Sequence, residues 1–260
     1  MSSDDQTDPR GAQRNRPDHV DALASTVISV LRDRQAVSSE GLRQFVLDHL
    51  LRAVLTRGVF SADKLLDELC GYRLSVDSII DLYVPAVARS LGAQWEVDHV
   101  SFADVTIGTL RLQSLLSEAS ILTRIDADGL ANSLHALIVV PQNEQHFLGA
   151  SVVAGQLRRL GCEVAMSFDE DYGTFNARLL VEVPDVILIT CARWETLESV
   201  TQTVQLVRKA LPDGPVIALG GAIEAPAKEV KEKTGVDIVT NVAAEAVALC
   251  NEHINSKKAS

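Results

Sequence analysis

Leu137-Ile138-Val139-Val140-Pro141 is a short apolar run, and Glu144-Gln145-His146-Phe147-Leu148-Gly149 follows it two residues later. The apolar run predicts a strand, which places the second stretch at a strand's carboxyl end. Open parallel α/β sheets bind ligands there, in the crevice between their loops. His146 can coordinate a metal through one ring nitrogen while the other bonds a carboxylate, for which Glu144 is the local candidate. Gly149 lets a bulky group approach the backbone.

By itself, a histidine after a strand is more often a loop or helix-start residue than a metal ligand. The spacing of two later features makes a metal-ligand interpretation of His146 more specific. Thr190-Cys191-Ala192 ends a second apolar run, with forty residues between Gly149 and Thr190, and Gly220-Gly221 closes a third run, with twenty-seven residues between Ala192 and Gly220. Small residues at these two strand ends leave room for a ligand between the strands. The alternative role of the glycine pair is a tight strand-to-helix turn.

The three features together resemble the cobalamin-binding domain of methionine synthase, of corrinoid methyltransferase proteins and of B12-dependent mutases, whose pattern is DxHxxG, SxL and GG. The resemblance covers residues from about 134 to 255. It implies a Rossmann-like parallel sheet of flavodoxin-like order, with His146 as the lower axial ligand of the cobalt. The positions that it assigns to cofactor binding in this domain are Glu144, Gln145, His146, Phe147, Leu148, Gly149, Thr190, Cys191, Ala192, Gly220 and Gly221.

Two positions depart from the family pattern. Glu144 stands where the family has aspartate, and Thr190-Cys191-Ala192 stands in place of SxL. Glutamate still accepts a hydrogen bond from an imidazole, although its side chain is one methylene longer than that of aspartate. Thr190 keeps the hydroxyl of the serine that it replaces. A related module on the same fold is proposed to hold haem, so haem iron is the alternative metal for His146.

Composition excludes several classes of protein. A chain of 260 residues that is 47% hydrophobic is long enough for two soluble domains, and its formal charge of −11 disfavours direct nucleic-acid binding. The four cysteines have no CxxC spacing, which indicates neither a zinc site nor a disulfide framework and fits the reducing cytoplasm. No apolar stretch approaches the roughly 20 residues that span a bilayer, and no signal core precedes the first helix.

The periodicity of apolar residues divides the chain into a helical first half and an alternating βα second half. The predicted parts are a disordered tail over residues 1–16, a helical bundle over 17–126, a linker near 126–132, and an α/β domain over 133–255. Helices of the bundle are expected near 17–34, 39–57, 61–71, 75–91 and 101–124, the last with Ser101 and Asp104 as a capping pair. Strands are expected near 135–140, 162–168, 185–190, 215–219 and 236–239, with helices near 147–160, 173–182, 195–211, 224–234 and 242–254.

The bundle before this domain resembles the cap that covers the upper face of the corrin in cobalamin proteins. The predicted turn Leu91-Gly92-Ala93-Gln94-Trp95 is similar to the cap's signature, which makes Trp95 the upper-face candidate, with ordinary bundle packing as the alternative. B12-dependent photoreceptor repressors carry a Glu-His pair after this tryptophan, and Val105 and Thr106 stand there in this chain. His99, in the same loop, can take that place, and a solvated loop histidine is the alternative.

Taken whole, the chain resembles the AerR/PpaA family of purple photosynthetic bacteria, through Trp95, residues 101–108 and residues 144–149. The resemblance implies a light-responsive antirepressor that binds adenosylcobalamin in the dark and hydroxocobalamin after light, and that contacts a repressor of the CrtJ/PpsR type. No Ser/His/Asp arrangement, P-loop or GxGxxG is present, so an enzyme is not expected. A corrinoid methyl-shuttle protein and a haem-binding redox sensor remain the alternatives.

Overall fold

The computed structural model describes residues 41–122, 134–142, 144, 147–221 and 225–258. The chain divides into two compact units, residues 1–50 and 51–260, and residues 41–50 are the described part of the first. Within the described ranges, no helix is long and apolar enough to cross a membrane. The tail over 1–16, the helix near 17–34 and the linker near 126–132 lie outside these ranges, so the proposed domain boundaries stay predictions.

Helices make up the described residues before the sheet, as the spacing of apolar residues predicts. Buried side chains recur every three or four residues along them, as in Leu65, Leu66 and Leu69 or Leu112, Leu115 and Leu116. The elements are α1 (Gln44–Leu55), α2 (Ala62–Gly71), α3 (Val76–Ser78), a π-helical segment (Ile79–Tyr83), α4 (Val84–Glu96) and α5 (Phe102–Leu122).

The prediction of a turn at Leu91-Gly92-Ala93-Gln94-Trp95 is wrong, because α4 continues through these residues to Glu96. One glycine costs a helix only about 1 kcal/mol, and its neighbours are good helix formers. The chain turns further on, where Asp98 takes a left-handed φ of 57° and the His99 N–H donates to the Gln94 carbonyl at 2.8 Å. Trp95 therefore lies on the last turn of a helix.

The capping pair expected at the start of α5 is confirmed. The Asp104 N–H donates to Ser101 Oγ at 3.1 Å, and Asp104 Oδ2 accepts from the Ser101 N–H at 3.1 Å. These hydrogen bonds with Ser101 lower the pKa of the Asp104 carboxyl. The two residues satisfy backbone groups that a helix start leaves unpaired, which fixes where α5 begins.

Strands and helices alternate after residue 134, each βα pair supplying one strand and one covering helix. The strands are β1 (His135–Val140), β2 (Glu163–Phe168), β3 (Val186–Thr190), β4 (Val216–Gly220) and β5 (Ile238–Val239). The helices are α6 (Phe147–Arg159), α7 (Tyr172–Val181), α8 (Leu197–Ala210), α9 (Ala227–Thr234) and α10 (Ala243–Lys258), and a 3-10 turn (Trp194–Thr196) precedes α8.

All five strands are parallel, and their order across the sheet is β2-β1-β3-β4-β5. This is the flavodoxin-like order that the sequence predicts. The order changes direction between β1 and β3, and in doubly wound sheets that switch point opens a crevice at the carboxyl ends of the strands. Residues 144–149 and Thr190 follow or end these two strands.

Both faces of the sheet are covered, because side chains along each strand alternate between two cores. On one face Leu137, Ile187 and Ile217 pack with α7, α8 and α9, and on the other Ile138, Leu188 and Ala218 pack with α6 and α10. This double covering leaves the carboxyl edge of the strands as the place where loops can form a site.

Candidate functional site

The loops after β1, β3 and β4 meet at one edge of the sheet. Thr190, the last residue of β3, pairs in register with Gly220, the last residue of β4. The Cys191 N–H donates to the Gly220 carbonyl at 2.9 Å. The features that the sequence places at two strand ends are therefore neighbours in space.

Glu144 links the loop after β1 to the loop after β3. Its side chain is buried, with 2% of the residue exposed, and its Oε2 accepts the Ala192 N–H at 2.9 Å. The same oxygen lies 3.3 Å from the Thr196 hydroxyl. Buried carboxylates need such donors, because removal from water costs several kcal/mol per ion otherwise. The longer arm of glutamate thus spans two of the three loops.

Thr196 is a site residue that the sequence analysis missed. It is buried, and its hydroxyl lies 2.8 Å from both the Arg193 carbonyl and the Cys191 sulfur, besides its contact with Glu144. One hydroxyl hydrogen serves only one acceptor at a time, so the carbonyl and the carboxylate share it. Threonine in a 3-10 turn has no sequence signature, and only the fold brings it to Glu144.

Cys191 is buried beneath the same loop, where its sulfur lies 3.2 Å from the Arg193 carbonyl. Burial raises the pKa of its thiol above the ordinary value, and the hydrogen bond to Thr196 offsets this in part. A thiol that stays protonated is a poor metal ligand and a poor nucleophile. Cys191 thus fills space and joins the hydrogen-bond network of the loop.

The hydroxyl of Thr190 is buried and has no hydrogen-bond partner in the described part of the chain. An unpaired buried hydroxyl costs about 1–3 kcal/mol. It lies at the strand end where the sequence predicts room for a ligand. A polar group of this kind fits a ligand that carries hydrogen-bonding atoms into the crevice.

Gly220 and Gly221 are required by the backbone around them. A Cβ on Gly221 would overlap the Cys191 carbonyl oxygen, and its φ of 139° disfavours any side chain. A Cβ on Gly220 would lie 2.8 Å from the Thr240 carbonyl oxygen. The fold itself therefore disfavours any side chain at Gly221. A role of the pair in making room for a ligand stays a prediction.

Gln145 and His146 lie outside the described residues, so the assignment of the metal ligand stays a prediction. The residues that follow them are described. Phe147 opens α6 and meets Phe168, at the end of β2, in an edge-to-face contact with ring centroids 5.6 Å apart. Leu148 is buried in α6, whereas Gly149 is exposed and a Cβ there would meet no atom of the described residues within 4 Å. The open side of Gly149 can admit a bulky ligand.

Trp95 and the exposed side of α5 form an uncharged, partly aromatic surface. Trp95 is 49% exposed, and its ring centroid lies 6.3 Å from that of Phe102, which is 70% exposed. A half-exposed tryptophan is not a buried core anchor, so core packing does not account for it. His99 is exposed in the following loop. The exposed side chains of α5 carry no charge: Phe102, Ala103, Thr106, Ile107, Leu110, Ser114, Ser117 and Ile121.

A groove of about 550 Å³ runs between α5 and α6. Its walls are mainly apolar, and Phe147 and Phe168 line it together with Leu116, Ala154 and Met166. Its size falls in the range of small-molecule sites, about 300–1,000 Å³. Because Phe147 follows His146 in the chain, the groove adjoins the candidate metal-ligand loop.

The residues at this edge fit a corrin. Among the described residues, the Thr190 hydroxyl has no partner and nothing obstructs the approach to Gly149, and Glu144 is held by two donors where the family pattern has aspartate. In the described part of the chain, no group of three His, Cys, Asp or Glu side chains could hold a metal ion. A corrin brings its own equatorial nitrogens, so a single protein ligand is enough.

The fold and this edge define a B12-binding-domain protein, and a family model described as the B12 binding domain matches residues 134–250. The chain is 35% identical over 179 residues to an uncharacterised 20.5-kDa protein from the bchF–crtJ intergenic region of Rhodobacter capsulatus, covering 69% of this chain and 93% of that protein. The chain belongs to the AerR/PpaA family.

Solved structures agree with the fold. The monomethylamine corrinoid protein of Methanosarcina barkeri superposes with a TM-score of 0.64 at 16% identity, covering 80% of this chain and 98% of that one. A cobalamin-binding protein of Desulfitobacterium hafniense matches with a TM-score of 0.42 at 15% identity, covering 80% of this chain and 98% of its own. The first of these two matches supports the architecture of the chain and nothing beyond it.

Proposed function

We propose that this protein is a cobalamin-binding, light-responsive antirepressor. The observation that carries the cobalamin assignment is the joined pair of loops: Glu144 accepts from Ala192 and Thr196 beside the unpaired hydroxyl of Thr190. Within this proposal His146 would coordinate the cobalt, and Glu144 would orient the loop that carries it. Thr190 would donate a hydrogen bond from its hydroxyl to a polar atom of the bound cofactor.

The helical region would cover the other side of the cofactor. The ring of Trp95, with Phe102 and the uncharged exposed side of α5, supplies a surface that can exclude water from a flat apolar disc. Val105 and Thr106 bring no imidazole to this surface, so His99 is the candidate for a second ligand after light. Adenosylcobalamin, when bound, would supply a light-sensitive carbon–cobalt bond.

A change in the bound upper group can act on a partner only if the partner distinguishes the two states of the protein. We propose a repressor of the CrtJ/PpsR type as that partner, in the cytoplasm. The formal charge of −11 supports a protein partner that is itself basic where it meets DNA. No catalysis is part of the proposal.

The visible spectrum of the purified protein with adenosylcobalamin, in the dark and after illumination, tests cofactor binding and photochemistry together. We expect a bound spectrum in the dark that changes irreversibly in light. A haem spectrum after expression, without cobalamin uptake, would support the redox-sensor alternative.

Affinity for the repressor, measured with dark and illuminated protein, tests the regulatory part. We expect at least about a tenfold difference, which is 1.4 kcal/mol of differential binding. Equal affinities, together with methyl transfer from methylcobalamin through a partner enzyme, would move the assignment to the corrinoid shuttle.

A further inference from the structure

Charged side chains join the helical region to α6 near the carboxyl end of that helix. Arg159 Nη2 donates to both carboxylate oxygens of Asp81 at 2.6 Å, and Arg159 Nε lies 3.3 Å from Asp77 Oδ1. Gln156 Nε2 donates to Asp81 Oδ1 at 3.2 Å. We name these four residues, Asp77, Asp81, Gln156 and Arg159, the α6 clamp.

The central pair of the clamp is largely shielded from water. The side chain of Arg159 is 16% exposed and that of Asp81 is 28% exposed. An arginine–carboxylate pair with short contacts and little solvent fixes the relative position of its two backbones far better than an exposed pair does. Arg159 Nη1 is buried without a partner in the described residues. The guanidinium is therefore held through its other two nitrogens, Nη2 by Asp81 and Nε by Asp77.

Asp81 reaches α6 from an unusual stretch of helix. It lies in the π-helical segment Ile79–Tyr83, where Ile79, Ile80 and Tyr83 are buried. A π turn holds more residues than an α turn and shifts the side chains that follow around the helix axis, and such turns are frequent at functional sites. Here the segment buries its apolar residues and still directs Asp81 to Arg159.

A groove lies beside the clamp, between α5 and α6. Ile80 and Gly155 both line this groove, and Ile80 Cγ2 would lie 3.9 Å from a Cβ at Gly155. A joint with a polar clamp and a neighbouring groove has less apolar packing to hold it rigid, and such interfaces allow one layer to rotate on the other.

We propose that the α6 clamp is the pivot between the helical region and the B12-binding domain, with Asp81 and Arg159 as positioning residues for the cofactor. They act through α6, whose first residue, Phe147, follows the candidate ligand His146. Holding the carboxyl end of α6 sets the distance between the ligand loop at its start and the uncharged side of α5. This inference rests on the proposed cobalamin binding.

The test uses Asp81→Asn and Arg159→Gln, singly and together, with Asp237→Asn as the matched control. Asp237 pairs with Arg208 at 2.6 Å within the B12-binding domain, so its loss removes a comparable ion pair away from the joint. We expect each clamp variant to release cobalamin about tenfold faster, and the double variant to release it less than about a hundredfold faster, because both changes break the Asp81–Arg159 interaction. The bound spectrum stays that of wild type, since the proposed cobalt ligand is unchanged.

Hydrogen–deuterium exchange of the apoprotein provides a readout without the cofactor. In Asp81→Asn we expect faster exchange than in wild type in α6 and in the π-helical segment. In Asp237→Asn we expect the exchange of these two segments to equal that of wild type. If wild type fails to bind cobalamin, the proposed function falls while the exchange data still test the clamp. Unchanged exchange, unchanged release in the clamp variants, or equal acceleration in the control would each overturn the pivot.

Discussion

Glu144 and Ala192 lie 48 residues apart in the chain, and the carboxylate of one accepts the backbone N–H of the other at 2.9 Å. The contact joins the ends of β1 and β3, which are adjacent strands at the point where the sheet changes direction. The candidate ligand loop is thus held by the loop that follows Thr190, whose buried hydroxyl has no hydrogen-bond partner among the described residues. A single glutamate couples the two parts of the proposed site.

Glu144→Ala should lower the free energy of unfolding of the apoprotein by about 1–3 kcal/mol, because the Ala192 N–H and the Thr196 hydroxyl lose an acceptor. Glu144→Gln keeps an oxygen acceptor and should lose less. Chemical denaturation measures both. Equal stability of the alanine variant and wild type would show that the contact does not hold the loops together.

His146→Ala should abolish stable cobalamin binding, because the proposal gives the cobalt no other ligand on its lower side. His135→Ala is the matched control, since His135 lies at the opposite end of β1 with its side chain 60% exposed. Equilibrium dialysis and the bound spectrum are the measurements. A bound spectrum like that of wild type in the His146 variant would refute the ligand assignment.

Thr190→Val should have opposite effects on stability and on binding. The change removes an unpaired buried hydroxyl at nearly constant volume, so the apoprotein should gain up to about 1 kcal/mol. Loss of a hydrogen bond to a polar atom of the bound cofactor should weaken cobalamin binding about tenfold. Unfolding curves and titrations of the same preparation separate the two. Unchanged affinity would show that Thr190 makes no such hydrogen bond.

Gly221→Ala and Gly149→Ala should separate backbone strain from ligand access. At Gly221 the new methyl group meets the Cys191 carbonyl, and we expect marked destabilisation of the apoprotein. At Gly149, inside α6, the methyl group of alanine meets no atom of the described residues within 4 Å and should stabilise the helix by about 0.5–1 kcal/mol. The same Gly149 variant should bind cobalamin more weakly if the open side admits the cofactor. Tighter binding would contradict that role.

Cys250 should make stability fall as the pH rises above 9. Burial raises the pKa of its thiol from the ordinary 9.0 to about 11, with a further contribution from Asp185. Between these values the unfolded chain loses a proton that the folded protein keeps, so unfolding becomes easier. The loss is at most about 2.7 kcal/mol.

Unfolding curves of wild type and Cys250→Ala between pH 8 and pH 11 test this prediction, since the variant lacks the group that titrates. Thiol labelling gives a second measurement. Cys70 is partly exposed and should react with an alkylating reagent before the buried Cys250 does. A stability difference between the two proteins that does not change with pH would contradict the assigned thiol.

The order of strands and helices along the chain could be predicted because it follows from the local spacing of apolar residues. The apolar runs at 137–140, 186–189 and 216–219, separated by helical periodicity, predict parallel strands with helical crossovers. The capping of α5 by Ser101 and Asp104 is equally local, since both partners lie within one turn. Local spacing is also enough to bring Thr190 and Gly220 to the ends of their strands.

Contacts between loops were decided by tertiary structure alone. The hydrogen bond between Glu144 and Thr196 joins residues that lie 52 positions apart in the chain. It depends on the register of β1 against β3, which the periodicity of apolar residues does not predict. The same holds for Gly221, which is constrained by the Cys191 carbonyl, and for Asp81, which meets Arg159 from a π-helical turn. Short-range patterns determine which residues form strands and helices, whereas the packing of distant segments determines which side chains meet, because those contacts form only when the sheet is assembled.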